Sequence, residues 1–80
     1  MDTYSLVKNR ILELCEQKNM SMHKLAMVSG VSPSTLKSII YKKSKNPGIV
    51  TIKMLCDGFN ISLFEFFDTA EFKSLMQEIK

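Results

Sequence analysis

Residues 21–40 read SMHKLAMVSGVSPSTLKSII, and the punctuation within this stretch decides how the chain folds. Ser21 can accept a bond from the free N–H groups of a starting helix, and Gly30 can take the left-handed conformation that ends one. A short helix from about Met22 to Ser29 follows. Ser32-Pro33 then repeats the start signal, a serine cap followed by proline at the first helical position, where its missing N–H is harmless. In the helix so opened, Leu36, Ile39 and Ile40 point inward, leaving Ser34, Lys37, Ser38 and Tyr41 outward.

Helical spacing continues on both sides. Upstream, Tyr4, Val7, Ile11, Leu14 and Cys15 recur every three or four residues, predicting a helix from about Thr3 to Lys18. Downstream, the polar run Lys42-Lys43-Ser44-Lys45-Asn46 ends in the breakers Pro47-Gly48 and reads as a loop. Ile49, Ile52, Leu55, Cys56 and Phe59 mark a fourth helix. Ser62-Leu63-Phe64-Glu65 fits a reciprocal capping box, opening a brief fifth helix to about Phe67. Asp68-Thr69-Ala70-Glu71 resembles that box with an aspartate cap, opening a sixth helix that places Phe72, Leu75, Met76 and Ile79 on one face. No useful stretch alternates with period two. The expected fold is all-α, five compact helices plus a short C-terminal sixth.

The 80 residues, 45% of them apolar, suffice for one domain. No apolar run approaches membrane-spanning length, and the Met1-Asp2 start lacks a signal-peptide layout, so a cytoplasmic protein with no membrane partner is expected. Cys15 and Cys56 lie far apart without a CxxC pattern, which argues for buried thiols rather than a disulfide or zinc site. His23 is the single histidine. With no glycine-rich phosphate cradle and no spaced carboxylate pair, neither an enzyme nor a metal or cofactor site is expected.

Charge is polarised along the chain. Residues 1–47 hold eight basic and three acidic residues, a net +5, whereas residues 48–80 hold three basic and five acidic, a net −2. Between Glu16 and Asp57 there are seven lysines and no acid. Such a stretch suits a polyanion, and it equally describes a solvated lysine-rich face.

Two short helices joined by a tight glycine turn, the second capped and polar outside, form a helix-turn-helix unit. Such a second helix fits the major groove of DNA, with its N-terminal residues at the base edges. The order and spacing from about Leu6 to Phe67 resemble the phage-repressor and Cro-type (xenobiotic-response-element-type) helix-turn-helix family. The matching stretches are Ser21-x-x-x-Leu25-Ala26-x-x-x-Gly30-Val31-Ser32, Ser34-Thr35-Leu36, Lys43-Ser44-Lys45-Asn46-Pro47, Thr51-Ile52 and Ile61-Ser62-Leu63-x-x-Phe66-Phe67. The resemblance implies sequence-specific binding of double-stranded DNA, usually as a homodimer at a two-fold-related operator and usually to repress transcription.

Carried onto this chain, the resemblance puts Ser32, Pro33, Ser34, Lys37 and Ser38 at base edges, with Thr35 and Tyr41 at the margin of contact. Lys37 is the strongest base-reading candidate, since a lysine donates to guanine O6 and N7. Ser32 and Pro33 have capping as their other role. Lys43, Ser44, Lys45 and Asn46 fall where the family's loop grips phosphates, and the amides around Ser21 and Met22 face another phosphate. Three departures stand out. Met22 replaces a common phosphate-binding glutamine, and Lys42 stands where glycine is frequent. Cys15 and Ile40 occupy the places of a buried arginine–glutamate pair and are expected to touch.

The aromatic C-terminal end carries more apolar surface than so small a bundle needs. Residues 62–80 are therefore expected to form a dimerisation extension through Phe64, Phe67, Phe72, Leu75, Met76 and Ile79. The other reading folds this stripe back onto the first helix. A different class also remains, a helical protein-interaction module of antitoxin or scaffold type whose C-terminal aromatics bind a protein partner.

Overall fold

The computed structural model describes residues 2–41 and 46–79, and the described residues contain helices and no strand. In chain order the helices are α1 (Thr3–Gln17), α2 (Met22–Ser29), α3 (Pro33–Ile40), α4 (Ile49–Phe59), α5 (Leu63–Phe67) and α6 (Ala70–Lys73).

The helix ends are set by local chemistry. Ser21, Ser32 and Ser62 each accept a backbone N–H three residues on, at 3.0, 3.2 and 3.0 Å. Ser62 and Glu65 complete the expected capping box, with Ser62 N–H donating to Glu65 Oε1 at 3.1 Å. Gly30 closes α2 at φ 75°. Two further stops were not anticipated. Asn19 (φ 52°) and Asn60 (φ 61°) both adopt the left-handed conformation, and the next residue's N–H bonds back to Cys15 O at 2.8 Å and to Cys56 O at 3.0 Å. Asparagine enters this region more readily than other residues with a Cβ.

One core joins α1 to α5. It contains Val7, Ile11, Leu14 and Cys15 of α1, Leu25 and Ala26 of α2, and Val31 of the turn. Leu36, Ile39 and Ile40 of α3, Ile52, Leu55, Cys56 and Phe59 of α4, and Phe66 of α5 complete it. Each large side chain so buried contributes about 1.5–3 kcal/mol relative to exposure. Cys15 and Ile40 are both buried in this cluster, so the place of an ion pair is taken by apolar packing.

Helices α2 and α4 cross in close backbone contact. A Cβ built on Gly58 would stand 2.9 Å from Ser29 Cβ and 3.1 Å from Ser29 Cα, so only hydrogen fits between the two backbones. Arg10 makes a second junction. Its Nε donates to Phe66 O at 2.7 Å and its Nη2 to Glu65 O at 2.8 Å, tying the end of α5 to α1. A third Arg10 nitrogen, Nη1, pairs with Glu13.

The C-terminal segment departs from expectation. The sixth helix stops at Lys73 instead of reaching Ile79, and its cap is Thr69, which accepts from Phe72 N–H at 3.2 Å. Asp68 is unavailable as a cap because it sits at the centre of a three-residue turn, Thr69 N–H donating to Phe67 O at 2.9 Å. Beyond Lys73 the chain lies along α1. Glu78 accepts from Thr3 N–H at 3.2 Å and from Thr3 Oγ1 at 3.1 Å, placing a carboxylate at the start of α1. An isolated four-residue helix has little stability of its own, and this return path holds the segment in a non-helical form.

Two stability measurements check this description. Ile40→Glu strands a charge in the core and should lower stability by about 3–5 kcal/mol in a circular-dichroism melt; an unchanged midpoint would refute the buried placement. Gly58→Ala gains helix propensity but forces backbone apart at the α2–α4 crossing, so urea unfolding should report a net loss of about 1–2 kcal/mol.

Candidate nucleic-acid interface

The turn between α2 and α3 is held from within. Ser29, the one buried polar residue among those described, accepts from Val31 N–H at 3.2 Å and donates to Ala26 O at 3.4 Å. Gly30 N–H also reaches Ala26 O, at 3.1 Å. Buried Val31 then hands the chain to the Ser32 cap, and Pro33 starts α3.

This arrangement buries one face of α3 and leaves the other outside. Leu36, Ile39 and Ile40 are buried, whereas Ser32, Pro33, Ser34, Thr35 and Lys37 are exposed and Ser38 is half-buried. Ser34, Lys37, Ser38 and Tyr41 line one shallow hollow, so the outward residues expected from sequence do come together. Tyr41 is 69% exposed and serves as the C-cap of α3, which ends at Ile40. A second hollow, formed by Met22, His23, Pro33, Leu36 and Lys37, joins the start of α2 to the start of α3. Lys37 borders both, and no described carboxylate pairs with it.

The remaining expected contacts are distributed as follows. Ser32 is engaged as a cap. Its hydroxyl accepts from Thr35 N–H and donates to Thr35 Oγ1 at 2.9 Å, which occupies Thr35 as well. At the start of α2, Ser21 caps Lys24 N–H, leaving the Met22 and His23 amides as the first-turn donors without an intrahelical partner. The half-buried Met22 side chain packs against the core and has no polar atom to offer a phosphate, so its backbone amide is the donor available there. Asn46 is exposed and opens on a cleft shared with Asp2, Thr3, Tyr4 and Glu78, two of them acidic. Lys42, Lys43, Ser44 and Lys45 lie outside the described residues.

The C-terminal aromatics divide into two groups. Phe66, Phe67 and Phe72 form a trio with ring centroids 4.9, 5.0 and 6.3 Å apart, the first two pairs edge to face, so Phe67 and Phe72 serve the core. Leu75 is half-buried in a hollow beside Leu6 of α1. Phe64, Met76 and Ile79 remain open, at 76%, 86% and 84% exposure.

Elsewhere the surface offers little chemistry. Burial pushes both thiols above the ordinary cysteine pKa, aided at Cys56 by the neighbouring Asp57 carboxylate, which makes them poor nucleophiles. No cluster of metal-ligating residues occurs among the described residues. Among these residues no helix is long and apolar enough to cross a membrane.

A capped helix pair with a fixed turn, its second helix open and bordered by lysine, defines a helix-turn-helix domain of the nucleic-acid-binding kind. The chain belongs to the Cro/C1-type HTH DNA-binding domain family, whose model matches residues 10–71. Among solved structures it is similar to prophage Lp1 protein 11, with 30% sequence identity and a TM-score of 0.81 over 94% of this chain and 100% of that one. A search of curated proteins returned no match. Duplex DNA is therefore the partner class that the family defines.

Lys37→Ala removes an exposed side chain. On the expectation that Lys37 reads a base edge, the change should leave the melting temperature unchanged while weakening the preferred duplex by about 1–3 kcal/mol and relaxing the preference at one base pair. Fluorescence anisotropy on single-base variants of that duplex measures this.

Proposed function

We propose that this chain is a sequence-specific regulator of transcription, acting as a homodimeric repressor that reads the major groove with α3. The observation that carries the reading is the open polar front of α3, where Ser34, Lys37 and Ser38 stand outward with no described part of the chain packed over Lys37. Lys37 donates to a guanine edge and the two serines adjust to its neighbours. The amides of Met22 and His23 hold a phosphate at the start of α2, and Tyr41, Lys43, Ser44, Lys45 and Asn46 meet the backbone beyond α3.

Two recognition helices must lie about 34 Å apart to enter successive turns of one groove face, which calls for a second copy. Phe64, Met76 and Ile79 supply exposed apolar surface for that pairing. Residues 62–80 form the dimerisation extension in this reading, within a single-domain chain. No catalytic step and no cofactor enters, and the domain acts in the cytoplasm, where its DNA is.

Selection of bound sequences from random duplexes tests the proposal. Recovery of paired half-sites separated by about one helical turn is the expected result. Each neutralised phosphate adds about 0.9 to the log–log salt slope, so three lysine contacts per subunit give roughly −5. Recovery of no preferred sequence, with Phe64 and Met76 substitutions instead abolishing capture of a protein partner, would favour the protein-interaction reading.

A further inference from the structure

Within α1, Tyr4 belongs to the apolar stripe by spacing, and its ring packs against the core. Its hydroxyl does something a phenylalanine could not. It donates to the backbone carbonyl of Ile39, in the last turn of α3. The last four carbonyls of a helix have no intrahelical partner, so this bond takes up a group that α3 cannot satisfy itself.

The bond matters because α3 is only eight residues long. A helix of that length, about 12 Å, depends on tertiary contacts for its position. Its first turn is fixed by the Ser32 cap and by the Ser29 turn behind it. Tyr4 is the described hydrogen bond that fixes the other end from outside the helix. A tilt of about 10° about one end would carry the far end some 2 Å, beyond what a base contact tolerates. Tyr4 is itself well anchored. Asp2 caps α1 by accepting from Ser5 N–H at 2.8 Å, and the adjacent Thr3 is held by Glu78 of the returning C-terminal segment.

We propose that Tyr4 is a positioning residue for DNA reading: by holding the Ile39 carbonyl it sets the angle at which Ser34, Lys37 and Ser38 meet base edges. This rests on the reading of α3 given above. Tyr4 touches no DNA in this role, so it governs discrimination between sequences rather than general attraction to phosphate.

Tyr4→Phe keeps the ring and removes only the donor. Anisotropy titrations of the full chain would use the duplex recovered by selection and a scrambled duplex of equal length. Binding to the selected duplex should weaken roughly three- to tenfold, the loss of one hydrogen bond's worth of preorganisation. Affinity for the scrambled duplex should stay within about twofold, with the salt slope unchanged. Ile11→Val, a core trim of similar effect on stability, should leave the ratio of the two affinities intact. The proposal is overturned if Tyr4→Phe preserves that ratio, or if Ile11→Val lowers it equally. A wild-type chain that fails to distinguish the duplexes overturns the α3 reading and this inference with it, whereas clear wild-type discrimination untouched by Tyr4→Phe overturns this inference alone.

Discussion

The contact between Ser29 and Gly58 is the constraint on which the rest of the fold depends. Two helix backbones approach there with space for a hydrogen and no Cβ. The same Ser29 hydroxyl holds the α2–α3 turn by accepting from Val31 N–H and donating to Ala26 O. One residue therefore fixes both the crossing of α2 over α4 and the direction in which α3 leaves. If α4 stood farther from α2, Ser29 would be partly wet, the turn bonds would compete with water, and the front of α3 would lose its fixed direction.

Around that crossing the core is almost wholly apolar, and the polar groups it displaces are handled at the edges. Cys15 and Ile40 are both buried in that core with apolar side chains, so neither strands a charge there. The end of α5 is closed by Arg10 from α1, and the last turn of α3 by Tyr4, also from α1. Among the described residues, no buried side-chain nitrogen or oxygen is left without a partner. Helix α1 is thus more than a wall of the core, since its side chains complete the ends of two other helices.

This division of labour leaves α3 with an open polar surface. Its serines and lysine need not stabilise the fold, because capping falls to Ser32 and packing to Leu36, Ile39 and Ile40. The positive stretch from Lys18 to Lys53 surrounds this helix in sequence, while the acids gather in the C-terminal third, so charge and open surface coincide in the same half of the chain.

Most helix starts were legible in the sequence because they depend on neighbours only a few residues away: a serine hydroxyl reaching an amide three positions on, a proline at a first turn, a glycine free to turn left-handed. The inward faces were legible for the same reason, as helical spacing alone assigns Leu36, Ile39 and Ile40 to the core. Tertiary structure decided what spacing leaves degenerate. Phe72 and Met76 share a helical pattern, yet one joins an aromatic trio and the other is exposed, because the chain turns back along α1 after Lys73. Helical spacing puts the Tyr4 ring on the inward stripe but says nothing about what Arg10 or the Tyr4 hydroxyl bonds. Their partners lie 56 and 35 residues away, and only folding brings those carbonyls within reach of a donor.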